Sequence, residues 1–217
     1  MPIYLILKLE GPMQAWGGHT FEDYRPTQPF PTRSGIVGLL GACLGIERGD
    51  REGLIALGQS FRLAVRADTD SKRSYRSTVI TDFHTVEAAR KVDGSANKNP
   101  VVSRREYLCD AGFTAALEFA DDEKRREILE GLRRPRYTPF LGRRACPLSR
   151  PLYEAEIEAA SLRDALAQIP PHAGVIYSED EADHHSQIAV RDVPLPGRTR
   201  RFATRRVYIR AETGGNP

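Results

Sequence analysis

The order of apolar and polar positions along this 217-residue chain predicts most of its elements. Ile3-Tyr4-Leu5-Ile6-Leu7-Lys8-Leu9 is a nearly continuous apolar run closed by Gly11-Pro12, the pattern of a strand covered on both faces. Over 32–46 the apolar residues Ile36, Leu39, Leu40, Cys43 and Leu44 recur at helical spacing. Pro29 and Pro31 bar an earlier start, and Thr32 or Ser34 can cap the first turn. A shorter helix over 51–60 turns Leu54, Ile55 and Leu57 inward. Residues 61–67 alternate apolar and basic, which predicts a strand with Arg62 and Arg66 on a wet face. The core resumes over 107–120 with Phe113, Ala115, Leu117 and Phe119 at alternate positions. An amphipathic helix then begins with acids at 121–122 and ends at Arg133-Arg134, with Pro135 behind it. Residues 137–141 are expected as one more short strand.

Between these core segments, 68–106 is polar and does not read as core. Strand-like stretches at 78–86 and 101–105 flank the turn-forming 91–100, which predicts a long hairpin standing off the body. Strand, helix, strand, strand, helix, strand is the split βαβ order of an α+β, ferredoxin-like domain, expected over 1–147 with a thumb hairpin at about 73–105. A smaller C-terminal α+β unit is expected over 148–217. It contains a strand at 153–157, a capped helix at 161–169, a strand at 174–177 and a basic strand near the end, with 211–217 as a frayed tail.

Composition narrows the function. The charged fraction of 28% and hydrophobic fraction of 40% describe a globular chain. No apolar run approaches spanning length and the start has no charged prelude to a signal sequence, so a cytoplasmic protein without membrane contact is expected. Three dispersed cysteines, 43, 109 and 146, give neither a disulfide framework nor a zinc pattern. Of 32 basic residues 27 are arginine, whose planar fork suits phosphate, although a GC-rich genome produces the same bias.

The arginines are interleaved with aromatics in Tyr24-Arg25, Arg73-Ser74-Tyr75-Arg76, Arg104-Arg105-Glu106-Tyr107 and 198–210, and Gly142-Arg143-Arg144 adds a glycine turn. Guanidinium groups beside ring faces favour single-stranded nucleic acid. The glycines at 35, 38, 41 and 45 each weaken a helix, so close approach to a sheet or another backbone, here the apolar N-terminal strand, is expected. Arg33 and Ser34 on that helix's first turn can in addition meet a phosphate, with the 142–144 loop opposite. Trp16, on a glycine-flanked loop, is either a core anchor or a stacking surface for a base or partner.

No phosphate loop, nucleophile elbow, zinc-protease motif or metal-spaced Cys/His set is present in the sequence, and no cofactor or metal is expected. The acidic loop around His184 and His185 lacks rigid support for a metal. His84, with Tyr75 or Tyr107, is the one candidate for metal-free RNA cleavage.

Several separated blocks carry a family resemblance: Gly11-Pro12-Met13-Gln14-Ala15-Trp16-Gly17, Pro31-Thr32-Arg33-Ser34-Gly35, Asp82-Phe83-His84-Thr85-Val86, 103–113 and 141–147. The chain resembles the CasD-type RAMP subunits of type I-E Cascade, a CRISPR antiviral complex. That resemblance implies a non-catalytic RNA-binding subunit that caps the 5′ handle of the guide RNA beside the large and backbone subunits, meeting target DNA only through the complex. Its implied RNA-binding residues are Arg25, Arg33, Ser34, Arg73, Tyr75, Arg76, His84, Arg104, Arg105, Arg143 and Arg144, with Trp16 as a base or partner contact.

Overall fold

The computed structural model describes residues 1–18, 20, 22–69, 78–91, 93–183, 185–195 and 201–212. The first apolar run forms β1 (Ile3–Glu10), followed by the two-residue strands β2 (Met13–Gln14), β3 (Trp16–Gly17), β4 (Tyr24–Arg25) and β5 (Thr27–Gln28). The helices α1 (Arg33–Leu44) and α2 (Arg51–Gln59) lead into β6 (Phe61–Asp68). A hairpin of β7 (Thr78–Val86) and β8 (Val101–Cys109) comes next, then β9 (Gly112–Phe119), α3 (Asp122–Arg133) and β10 (Tyr153–Glu158). The chain closes with α4 (Leu162–Ala167), β11 (Gly174–Ser178), a 3-10 turn at Glu181–Asp183, β12 (Ser186–Pro194) and β13 (Phe202–Glu212).

Seven strands form one sheet in the order β10-β1-β9-β6-β11-β13-β12, with every neighbour antiparallel. Within it β10, β1, β9 and β6 stand fourth, first, third and second in chain order, with helices in the connections β1 to β6 and β9 to β10. Both faces are covered, which explains the continuous apolar run of β1. Leu5, Leu7 and Leu9 pack with Ile36, Leu39, Leu40 and Leu129 of α1 and α3, whereas Tyr4 and Ile6 pack with Leu162, Ala165 and Leu166 of α4.

Three expectations need correction. Residues 148–217 do not build a separate sheet: β10 pairs with β1 on one side, and β11, β13 and β12 extend the sheet beyond β6 on the other. Hydropathy shows that a strand exists but not whose edge it completes. Residues 137–141 form no strand, because the backbone of this segment is used elsewhere. The N–H groups of Arg136 and Tyr137 donate to the terminal α1 carbonyls of Cys43 and Ala42 (both 3.0 Å), and Leu141 N–H donates to Cys146 O (2.9 Å).

The third correction is Arg66, expected on a wet face and found 1% exposed. The α4 layer covers that face, so the charge is neutralised internally. Its Nε lies 2.7 Å from Asp68 Oδ1, and Nη1 and Nη2 donate to the carbonyls of Leu166 and Ile169 (both 2.7 Å). Lys8, also buried, joins from β1 with Nζ 3.0 Å from Asp68 Oδ2, 2.7 Å from Thr114 Oγ1 and 2.7 Å from Pro170 O. Two cations thus share one carboxylate and hold the carbonyls at the end of α4, where positive charge suits the helix dipole. Arg62, at the start of the same strand, is exposed and pairs with Glu118 and Asp180.

The glycines of α1 have separate reasons. A Cβ on Gly35 would stand 2.8 Å from the Trp16 ring, and one on Gly41 would stand 2.8 Å from Leu54 of α2. The partners are therefore a loop and a helix rather than the expected β1. Gly45 is the left-handed cap, at φ 78°. Gly38 is exposed, and nothing lies within 4 Å of its would-be Cβ. Gly38→Ala should therefore stabilise the free chain by about 0.5–1 kcal/mol, read as a raised urea midpoint with unchanged slope.

Candidate nucleic-acid interface

The hairpin belongs to a second sheet. β7 pairs with β8 over its full length, from Thr78 opposite Cys109 to Val86 opposite Val101. The other side of β8 is held by β2, through Met13 and Gln14, and by β4 in parallel, with Tyr24 beside Arg104 and Arg25 beside Arg105. Two sequence clusters some 80 positions apart are thereby brought side by side.

Arg143 joins the third cluster to them. Its Nη1 donates to the carbonyl of Glu106 on β8 (2.9 Å) and its Nη2 to the carbonyl of Arg25 on β4 (3.0 Å), while the guanidinium lies 4.7 Å from the centre of the Tyr107 ring. Gly142 makes the turn possible: at φ 84° its would-be Cβ falls 1.8 Å from the Ala15 carbonyl oxygen, so only glycine fits. Arg25, Arg104 and Arg105 thus lie side by side at the middle of β8, with Arg104 and Arg105 on opposite faces of the strand, and Arg143, tied to the Glu106 and Arg25 carbonyls, brings the 142–144 turn with Arg144 alongside.

Their freedom differs. Arg144 is exposed and makes no ion pair among the described residues. Arg105 Nε donates to Ser103 Oγ (3.0 Å), and Arg25 Nη1 donates to the Glu22 carbonyl. Arg104, exposed, has its Nε 3.3 Å from Asp23 Oδ2 and its guanidinium 5.8 Å from the Tyr24 ring centre. Arg143 is committed to backbone carbonyls and acts as a strut rather than a free cation. An open depression of about 590 Å³ beside the cluster is lined by Glu22, Asp23, Tyr24 and Arg104. Its two carboxylates make it a poor phosphate seat, so an incoming backbone is better met on the Arg105 and Arg144 side. Glu106 serves the local structure, accepting from the Tyr24 hydroxyl and from Thr27 N–H (3.0 Å). The hydrogen bond to that carboxylate pushes the Tyr24 phenol above its ordinary pKa.

Other expected site residues lie elsewhere. Arg33 is buried and turned away from the cluster: its guanidinium pairs with Glu179 and donates to the carbonyls of Gly58 and Phe61, the latter at 2.8 Å. The anion-binding end of α1 is already filled, because Arg33 N–H donates to Asp192 Oδ2 (2.6 Å). Asp192 in turn receives Arg205 on both oxygens, at 2.7 and 2.8 Å. Arg33 is thus not a phosphate contact, and the ligand of this helix terminus is a carboxylate 159 residues away. Trp16 is 0% exposed, with its indole N–H on Gln14 Oε1 (3.0 Å), so its ring is a core anchor and not a stacking surface. Ser34 is half-buried near Thr32. Gly35 packs on the Trp16 ring and Gly142 on the Ala15 carbonyl, so the first turn of α1 and the 142–144 loop each touch the same short segment of chain.

His84 sits higher on the hairpin, opposite Ser103, with Nδ1 3.8 Å from Asp82 Oδ2. Tyr107, its expected catalytic partner, is buried beneath Arg143 and four positions further down β8, about 13 Å away at strand rise. That pair cannot act on one phosphate. Arg73, Tyr75 and Arg76, together with Arg198 and Arg200 of the C-terminal cluster, lie outside the described residues. Sequence reading passed over Arg134, Arg136 and Tyr137, all exposed on the segment pinned to the end of α1. The signal was the same arginine and aromatic interleaving used for the other clusters.

A mixed α/β molecule with mostly antiparallel sheets and arginines gathered from three segments along one strand of a hairpin has the makings of a nucleic-acid-binding protein. Residues 4–208 match the family described as CRISPR-associated protein (Cas_Cas5), and the chain belongs to that family. It is 46% identical over 216 residues to the CRISPR system Cascade subunit CasD of Escherichia coli (strain K12), covering 96% of both chains. A solved chain titled CRISPR RNA-guided surveillance complex superposes with a TM-score of 0.77 at 28% identity, covering 96% of this chain and 90% of that one. Another, titled Crystal structure of Cas protein, gives 0.65 at 27% identity, covering 96% and 94%.

Proposed function

We propose that this protein is a non-catalytic, RNA-binding subunit of a CRISPR surveillance complex that caps the 5′ handle of the guide RNA. On this reading β10, β1, β9 and β6 are a ferredoxin-like RAMP core, and the β7–β8 hairpin is the thumb closing over the handle. The large and backbone subunits of Cascade are its protein neighbours, and target DNA meets it only through the assembled complex. The observation that carries the reading is the gathering of three arginine-bearing segments, far apart in sequence, along β8: Arg25 on β4 lies beside Arg105, and the 142–144 turn is tied to both strands by the Arg143 strut. The 46% identity to a protein named as a Cascade subunit supplies the context. His84 opposes Ser103, four positions from Tyr107 along β8, which keeps these two side chains from sharing one phosphate.

Binding of handle-containing guide RNA should weaken in the Arg104→Ala, Arg105→Ala, Arg144→Ala triple variant. The slope of log affinity against log salt should become shallower by about 1.4, or about 0.7 for each of Arg105 and Arg144 as it neutralises a phosphate of single-stranded RNA, since Arg104 already meets Asp23. The bound RNA should stay intact on a gel in EDTA. Unchanged affinity and slope would overturn this map, and RNA cleavage abolished by His84→Ala would turn the protein into a nuclease.

A further inference from the structure

The two strands of the hairpin are chemically unlike. β8 carries Arg104 and Arg105, and its outer side is occupied by β2 and β4. β7, Thr-Val-Ile-Thr-Asp-Phe-His-Thr-Val, contains no Lys or Arg, and among the described residues no strand pairs with its outer side. Phe83 is 69% exposed and Val79 52%.

The register identifies the open backbone groups. Arg104 N–H donates to Asp23 O (3.0 Å) and Asp110 N–H to Pro12 O (3.3 Å), both on the side of β8 away from β7. In an antiparallel ladder, opposed residues alternate between pairs that exchange both hydrogen bonds and pairs whose groups point outward. Phe83 opposes Arg104, so it belongs to an outward pair, and the same parity gives outward N–H and C=O groups to Val79, Thr81, Phe83 and Thr85. These four side chains also share one face. A nine-residue edge rich in Val, Ile, Thr and Phe is a template for strand addition that proteins seldom leave open.

The occupant can be argued from charge. A phosphate backbone finds no Lys or Arg on β7, and each outward N–H is accompanied by an outward carbonyl that repels it, so RNA fits poorly. A second copy in the antiparallel register of full overlap sets Asp82 directly against Asp82, a like-charge pair that opposes dimerisation. An extended segment of a different protein, apolar on the Phe83 face and carrying Lys or Arg near Asp82, satisfies both the backbone and the charge.

We propose that the outer edge of β7 accepts a strand from a neighbouring protein subunit, through Val79, Thr81, Phe83 and Thr85, with the Phe83 side chain as its apolar anchor. The hairpin then has two working sides, β8 toward nucleic acid and β7 toward protein. This inference rests on the reading that the chain works inside a multisubunit complex.

Residue-resolved hydrogen exchange on the full chain, alone, with guide RNA, and in the reconstituted complex, tests it. Alone, the amides of Ile80, Asp82 and His84 should be protected by β8 while those of Thr81, Phe83 and Thr85 exchange quickly. In the complex the second set should slow by about a hundredfold or more. Thr85→Pro removes an outward N–H without costing a bond to β8, and should release that protection and lower retention in the complex; Phe83→Ser should lower retention with the ladder intact. A chain that assembles normally with 81, 83 and 85 still exchanging quickly overturns the inference and leaves the proposed function standing. Protection by guide RNA alone, or in a concentration-dependent dimer, overturns it as well. A chain that never enters the complex overturns both.

Discussion

Asp68→Asn should destabilise the chain by about 3–5 kcal/mol, the cost of removing one partner from a buried ionic group. Asp68 is the single carboxylate between Lys8 and Arg66, whose side chains are 5% and 1% exposed. Asparagine keeps the shape and one acceptor, so the loss reports charge: two cations would remain in the layer between the sheet and α4. The carbonyls of Leu166, Ile169 and Pro170 continue to accept hydrogen bonds but cannot neutralise either cation. Urea unfolding followed by circular dichroism gives the measurement. Arg62→Ala on the same strand is the comparison, because it removes an exposed arginine with two surface carboxylate partners and should cost less than about 1 kcal/mol. Equal effects at the two positions would mean that the α4 layer does not seal the Arg66 side of the sheet.

That contrast marks what a single sequence can tell. Arg62 and Arg66 have the same spacing within 61–67, and alternation assigns both to water. Whether a face is wet depends on α4, a hundred residues later, which the period of β6 cannot report. The secondary elements themselves were legible because their signals are local: the apolar run of β1, the helical spacing of Leu39, Leu40 and Cys43, the Asp121 cap and closing arginines of α3. The role of Trp16 was open from sequence and is decided by packing against Gly35. The arginine clusters were visible one at a time. Their meeting along β8 depends on β4 lying parallel to it through a two-residue strand, too short to leave a pattern. The order of the seven-stranded sheet also hides in the sequence, since hydrogen-bonded strand edges carry no residue code. Exposure alone would likewise misjudge the hairpin, because Phe83 and Arg104, both exposed, stand opposite each other and yet offer different chemistries, an apolar ring and a cation.

Arg33 gives the sharpest separation between a helix-terminus phosphate site and the observed structure. Arg33→Ala should lower stability by about 3–5 kcal/mol, since it takes a guanidinium out of a buried network and leaves Glu179 with less compensation. The network is balanced: Arg33 and Arg205 face Glu179 and Asp192, tying the first turn of α1 to β12 and β13. Its loss also strips hydrogen bonds from the carbonyls of Gly58 and Phe61, which no other described side chain reaches. Arg33→Lys should recover little of this, because an ammonium cannot span a carboxylate and two carbonyls at once as the guanidinium fork does. The folded fraction of Arg33→Ala should bind guide RNA with the wild-type salt slope, for the residue neutralises a protein carboxylate rather than a phosphate. A slope shallower by about 0.7 with unchanged stability would instead restore Arg33 as an RNA contact. Stability and salt slope thus move in opposite patterns for Arg33 and for the Arg104, Arg105 and Arg144 group, although all four are arginines in similarly basic stretches of sequence. What divides them is the carboxylate each one meets: Glu179 encloses Arg33 on the sheet side, whereas Arg105 and Arg144 have no acidic partner among the described residues and keep their charge for a ligand.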